Sequence, residues 1–346
     1  VTGRLVVRVA GERAGLLAAD ATGRHVFAYD PGCPGTRFVS LTMPVRLESY
    51  AWHELHPVFQ CALPDGEALA TLARGLERSG AARPLDLLLL ALPGAPGRLA
   101  VAPEGAPAAP AGAEPPAATQ ASDALRPHFA FAAWCALRVA RRAGFDVPPF
   151  ALSADRRTLT VERFDRAAGV GVGYEDFCAL MGLGAAGRFD ATAERMVSAA
   201  TAFVAAVQRT AVRRELFRRH ALAHLFANAE AHLRAFGVVY GGADDVRLAP
   251  LRVALTALPG GRAEAVPALS IGGQRSFALK KGTWRRFGAH CALSDRESLS
   301  ILQWLGQAVE AERAELERDA VGGEREVLAA LLADWRAGAG ALVAGF

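Results

Sequence analysis

The sequence predicts an α+β protein, β-rich in its first third and mostly helical in its second half. Three observations carry this. The first thirty residues fall into short alternating apolar runs separated by turn signals, the pattern of a strand meander. Residues 102–118 are almost pure Ala, Pro, Gly and Glu, a composition with nothing to bury. From about residue 175 onward the apolar residues recur at helical spacing.

Taken in order, strands are expected at 5–9, 16–19 and 25–29, split by Ala10-Gly11-Glu12 and by Asp20-Ala21-Thr22-Gly23. Mixed structure follows through 40–44 and 57–66, then a helix at 67–79. These residues form a first domain over 1–101, and residues 102–122 read as an Ala/Pro/Gly linker. The second domain, 123–346, opens with a helix at about 129–143, stopped by Gly144 and Pro148-Pro149. A hairpin is expected with arms 150–153 and 158–164, and a helical lobe from about 174. Within that lobe, apolar faces mark 193–207 and 215–227, and a short hairpin turns at 241–245. Two closing helices, 295–318 and 324–336, are split by Gly322-Gly323.

Hydrophobic residues make up 52% of the 346 and charged residues 21%, enough for a sizeable core and against wholesale disorder. Lys+Arg 39 against Asp+Glu 35 gives +4, too weak by itself to mark a nucleic-acid binder. Lys280 and Lys281 are the only lysines and Asn228 the only asparagine, so chemistry needing either has almost nowhere to happen. The five cysteines are scattered without a C-x-x-C pair, which favours a reducing compartment. The opening residues alternate like a strand and lack a signal-peptide h-region. The most apolar run, 85–92, is well short of the roughly 20 residues that cross a bilayer. A soluble, cytoplasmic protein without membrane contact is the expectation.

Several segments resemble the HipA family, serine/threonine kinases that act as toxins in bacterial toxin–antitoxin modules. In the first domain they are Ser40-Leu41-Thr42-Met43-Pro44, and Pro57-Val58-Phe59 running to Leu63-Pro64-Asp65-Gly66. Val161-Glu162-Arg163-Phe164-Asp165-Arg166 is similar to the family's "ERFDR" strand, and Tyr174-Glu175-Asp176-Phe177-Cys178 to its "QEDFC" helix start. Residues 224–236, His-Leu-Phe-Ala-Asn-Ala-Glu-Ala-His-Leu-Arg-Ala-Phe, overlay the "GNxDxHxKNF" catalytic loop. Leu248-Ala249-Pro250-Leu251 opens the metal-binding segment and Leu269-Ser270-Ile271-Gly272-Gly273 continues it. The pieces keep the family's order over nearly the whole chain. The resemblance implies a two-lobed, protein-kinase-like HipA fold.

Phosphoryl transfer needs a loop and lysine to hold the phosphates, a carboxylate to accept the hydroxyl proton, and oxygen ligands for magnesium. The family's phosphate loop falls on the Ala/Pro/Gly linker, and no lysine precedes Lys280. Arg126 is a poor replacement, because a planar guanidinium differs in shape from an ammonium. The family's catalytic aspartate falls on Glu230, longer by one methylene; a shift of roughly 1 Å can cost about a hundredfold in rate. Its asparagine ligand falls on Ala235, and its Tyr-Asp pair on Arg252-Val253 if Pro250-Leu251 and Leu255-Thr256 set the register. Neither Ala235 nor Val253 offers the hard oxygen magnesium requires. Asn228 and His232 remain as loop-shaping residues. The expectation is a pseudokinase without ATP, magnesium or other cofactor, acting through a protein partner. A small helix-turn-helix antitoxin fits that role, with DNA reached indirectly through it.

Two alternatives stand beside this one. A divergent serine/threonine kinase would use Glu230 as base, with ATP and magnesium held by unorthodox ligands. An arginine-rich nucleic-acid-binding module would use Arg209, Arg213, Arg214, Arg218 and Arg219, which cover much of one helix side. The last four are the candidate contacts for a phosphate or acidic partner, against the plainer reading of a solvated face in an arginine-biased chain. His220 and His224 have zinc-compatible spacing, but the His-Glu-x-x-His acid is missing and helix packing explains them. No G-x-S-x-G elbow marks a hydrolase serine.

Overall fold

The computed structural model describes residues 3–64, 66–78, 83–106, 118–167, 170–254 and 265–346. Asp65 of the Leu63–Gly66 motif piece, the centre of the expected linker and the register markers Leu255-Thr256 lie outside the described residues. The chain divides into two compact units. The first comprises Val1–Pro116, Asp165–Arg188 and Gly237–Ala249; the second comprises Ala117–Phe164, Phe189–Phe236 and Pro250–Phe346.

The meander forms as expected. Strands β1 (Arg4–Val9), β2 (Glu12–Ala19) and β3 (His25–Tyr29) pair antiparallel and are extended by β4 (Tyr50–Trp52). Three short helices follow: α1 (Pro57–Gln60), α2 (Gly66–Glu77) and α3 (Pro84–Ala91). Strand β5 (Leu99–Pro103) then returns beside β1 and completes the order β4-β3-β2-β1-β5. Period-two alternation turns Leu5, Val7, Val9, Leu17, Phe27 and Tyr29 to one face, where Val58, Phe59, Leu85 and Leu88 cover them. The apolar run at 85–92 is therefore largely α3, whose Leu85 and Leu88 are core residues.

The expected linker is shorter at its C-terminal end than the composition suggests. Ala118–Ala121 form β6, which pairs with β8 (Thr158–Val161), itself paired with β7 (Phe150–Leu152). A strand this poor in side chains is held by its ladder hydrogen bonds, which composition does not reveal. Helix α4 (Phe129–Arg142) lies between β6 and β7 in sequence, buried along most of its length.

The first unit contains a second sheet. After the short pair β9 (Arg166–Ala167) and β10 (Val170–Gly171), strand β11 (Gly173–Asp176) leads into α5 (Phe177–Leu180). The expected helix start at Tyr174 is thus a strand, and Asp176 caps α5 by accepting from the Ala179 N–H at 2.9 Å. Much further along, β12 (Gly237–Tyr240) and β13 (Val246–Leu248) form the expected hairpin and give the order β11-β12-β13. Gly173 stands opposite Tyr240, and a Cβ at Gly173 would overlap the Tyr240 ring.

In the second unit, α6 (Ala193–Phe203), α7 (Arg209–Leu225), α8 (Thr283–His290), α9 (Asp295–Asp319) and α10 (Glu324–Ala344) build a helical body. Ser294 and Glu297 form a reciprocal capping box at the start of α9. Arg138 on α4 reaches Glu312, Glu315 and Asp319 on α9, and Arg142 adds a second contact to the buried Glu312 at 2.8 Å. Helix α10 runs eight residues past the expected end, through Gly338 and Gly340. Gly338 is buried, and Gly306 on α9 lies against Ala339, so close helix packing overrides the poor propensity of glycine. By length and composition α10 also suffices to cross a membrane, which corrects the reading that no segment does. Here Leu328, Leu331, Leu332, Trp335 and Leu342 are buried, and the helix packs on α7 and α9, while Arg325, Glu326 and Arg336 are exposed.

Gly173→Ala is expected to push the Tyr240 ring off its seat. The overpacking cost is about 1–3 kcal/mol, read as a lowered midpoint in urea unfolding.

Candidate functional site

The loop that overlays the family's catalytic segment begins where α7 ends. Ala227 adopts a left-handed backbone (φ 50°), which turns the chain sharply after the helix. Asn228 then fixes the turn. Its backbone N–H donates to the Ala223 carbonyl at 2.8 Å, and its side-chain oxygen accepts from the Glu230 N–H at 3.0 Å. Its amide nitrogen donates to the Ala254 carbonyl at 3.3 Å, tying the loop to the segment expected to bind metal. Asn228 is buried, as its loop-shaping role requires.

Glu230 is exposed, with its carboxylate 3.6 Å from Nε2 of His232. His232 is buried and meets the edge of the Phe189 ring at a centroid distance of 5.4 Å. The structure therefore brings Asn228, Glu230 and His232 into one short loop. Ala235 is exposed at the end of a 3₁₀ turn, and Val253 is 37% exposed; both side chains are hydrocarbon. Arg252 lies half-buried with its guanidinium 5.4 Å from the Phe164 ring centroid. Arg126 is engaged by Asp123 at 2.9 Å and stacks over Phe129. Among the described residues no group of three His, Cys, Asp or Glu side chains is placed to hold a metal ion.

His220 and His224 lie inside the helical body, not in a metal centre. His220 packs against Phe236 and Phe287, and His224 against Phe277 and Trp284. Burial alone lowers the His220 pKa to about 3, so the ring is neutral in the fold.

The arginine face on α7 needs correction. Arg219 is buried and bound to Glu215 at 2.9 Å, and Arg218 reaches the same carboxylate at 2.7 Å while stacking over Phe145. Arg218 also donates to the Ala143 carbonyl. Both are structural, since a guanidinium spent on its own helix and a buried carbonyl is not offered to a partner. Arg214 is exposed and paired with Glu297 at 3.2 Å, and Arg213 is half-buried. Of the four, Arg213 and Arg214 remain near the surface.

Three buried acids lie inside the motif pieces without a site role in the sequence: Asp165, Glu175 and Asp176, which caps α5. Asp165 accepts from the Gly97 N–H at 2.7 Å. Glu175 receives Ser40, Leu41 and Tyr240, each at 2.7 Å. No apolar pattern surrounds Asp165 or Glu175: Asp165 stands in a turn within a charged run and Glu175 is followed by Asp176, so residue pattern alone carried no signal of their burial.

A β-rich N-terminal region followed by a helical C-terminal region defines an α+β protein, the fold class expected from the sequence. The sequence profile described as HipA N-terminal domain matches residues 5–102, and the one described as HipA-like C-terminal domain matches 119–313. The chain belongs to the HipA family. Its fold is similar to that of HipA from the Shewanella oneidensis MR-1 toxin antitoxin system, solved in complex with HipB and its operator DNA. That likeness has a TM-score of 0.75 at 16% identity and covers 97% of this chain and 96% of the other. The Helicobacter pylori proinflammatory kinase CtkA is similar at TM-score 0.47 and 11% identity, over 66% of this chain and 85% of that one. No curated protein matches the chain in sequence.

The neutral histidine has a consequence for acid stability. A folded pKa near 3 lies below the unfolded value of 6.5, so the unfolded chain binds the extra proton as pH falls. The contribution of His220 is complete above pH 6.5 and is lost on acidification, at about 1.4 kcal/mol per pH unit. His220→Phe is expected to flatten that part of the stability–pH curve, as measured by urea unfolding at a series of pH values.

Proposed function

We propose that this chain is a catalytically silent HipA protein that acts by binding a protein partner in a toxin–antitoxin-type module. One observation carries the reading. The positions expected to ligate magnesium hold Ala235 and Val253, neither with a side-chain oxygen. A triphosphate with its cation does not fit this donor set. Other features of the chain agree. No lysine precedes Lys280, and Arg126 is held by Asp123. The oxygen of Asn228 is spent on the Glu230 backbone, and Arg252 places a cation next to the segment where a metal would sit. Glu230 retains a carboxylate, but with no phosphate grip and no metal it has no transition-state charge to work against.

The partner follows from the family. The Shewanella HipA stands in a complex with HipB and operator DNA. A HipB-like helix-turn-helix antitoxin is the corresponding partner here, with DNA contacted through it. Arg213 and Arg214 are the members of the arginine set available to such a surface.

Titration with ATP and magnesium, followed by thermal shift, is expected to leave the unfolding midpoint unchanged, and incubation with radiolabelled ATP to give no incorporation. A magnesium-dependent rise in midpoint, or label that is lost in Glu230→Ala, would overturn the proposal.

A further inference from the structure

Glu175 is wholly buried in the first unit, and its hydrogen-bond pattern is uneven. Oε1 receives two fixed donors, the Leu41 N–H and the Tyr240 hydroxyl, both at 2.7 Å. Among the described residues Oε2 meets only Ser40 Oγ, also at 2.7 Å. Ser40 Oγ in turn lies 2.8 Å from Thr42 Oγ1 and accepts from the Thr42 N–H at 3.0 Å. Ser40 is buried, whereas Thr42 is half-buried at the end of this row. We propose that Glu175 is a proton-binding site, held as the neutral acid with Oε1 as carbonyl oxygen and Oε2 carrying a proton donated to Ser40 Oγ.

The neutral arrangement satisfies every atom. In the proposed neutral form Oε1 accepts from Leu41 and Tyr240. The acid proton is given to Ser40 Oγ across the 2.7 Å contact in which Ser40 donates to the carboxylate of the ionised form, and the Ser40 proton goes to Thr42 Oγ1. Ionisation needs no heavy atom to move: the two hydroxyls reverse, Ser40 donates to Oε2 and Thr42 donates to Ser40. Thr42–Ser40–Glu175 is then a short hydroxyl row along which a proton passes between the half-exposed end and the buried acid. Reversal changes the side-chain hydrogen bonds of Ser40 and Thr42 and leaves the Leu41 and Tyr240 bonds to Oε1 in place.

The charges around the group favour the neutral form on balance. Asp176, next in sequence, is a second buried carboxylate spent on capping α5, and two adjacent buried anions repel. Tyr240 on β12 and Tyr29 on β3 are neutral phenols. Arg98 is the nearby cation, stacked over Phe38 and Tyr240 and donating to the carbonyls of Gly241 and Phe38. It forms no ion pair with Glu175 and sits behind the Tyr240 ring. Burial raises the Glu175 pKa above its ordinary value, with the hydrogen bonds from Leu41, Tyr240 and Ser40 pulling the other way. This inference does not depend on whether the chain transfers phosphate.

The test compares the full-length protein with Glu175→Gln, whose amide copies the donor pattern of the neutral acid. A folded pKa above the unfolded 4.5 makes the wild-type contribution greatest at low pH and lost as pH rises through the folded value. The variant cannot ionise. Its unfolding equilibrium constant is therefore expected to fall relative to wild type by up to about tenfold per pH unit across that window. Infrared spectra should show a protonated-carboxyl carbonyl band in wild type near neutral pH that is missing from Glu175→Gln. A variant that fails to fold, a stability gap that is flat or that grows against the variant as pH rises, or no such band would each overturn the inference.

Discussion

A carboxyl group removed from water must be fully partnered, and at Glu175 the partners come from two separate stretches of chain, Ser40-Leu41 and Tyr240. Stripping away the side chain would leave the Leu41 N–H and the Tyr240 hydroxyl buried without acceptors, each loss costing about 1–3 kcal/mol. That requirement joins the Ser40–Pro44 turn to β11 and β12. Asp165 does the same for the turn at Gly97, and Arg98 spans to Gly241. Gln60 adds a fourth tie through the Ala185 N–H at 2.8 Å. The first compact unit therefore includes residues 165–188 and 237–249, although the HipA N-terminal profile ends at 102. Polar bonds join these segments to the first unit alongside ring packing such as Phe38 on Tyr240.

The helical unit answers the same demand with arginine. Arg138 and Arg142 converge on Glu312, Arg156 on Glu324, and Arg218 and Arg219 on Glu215. Buried carboxylates on α9 and α10 and a half-buried one on α7 are thus matched by guanidinium forks, whose planar geometry suits bidentate contact. An arginine bias that looks like a nucleic-acid surface in sequence is, for several of these side chains, internal wiring. Charge counts along a helix cannot separate the two, because both place cations at the same spacing.

The loop at 224–236 shows the reverse balance. Its shape is kept by Asn228, Ala227 and His232, all committed to backbone or ring contacts. The side chains where chemistry is expected, Ala235 and Val253, carry no donor atoms. Backbone geometry and reactive groups are separable properties of a loop, since the first rests on hydrogen bonds to the main chain and the second on the tips of side chains.

Local order was legible from residue pattern alone: the meander, the 129–142 helix and both hairpins follow from periodicity and turn chemistry, which act within a few residues. So was the lack of lysine and of oxygen donors, because a missing side chain is absent in any fold. Strand β6, the reach of α10 through two glycines and the strand at Gly173 were not legible, as each is stabilised by a distant neighbour. The same holds for Glu175 and Ser40, 135 residues apart, and for the burial of Arg219. Sequence fixes what each group can do; only packing decides which groups lose their water and must find one another.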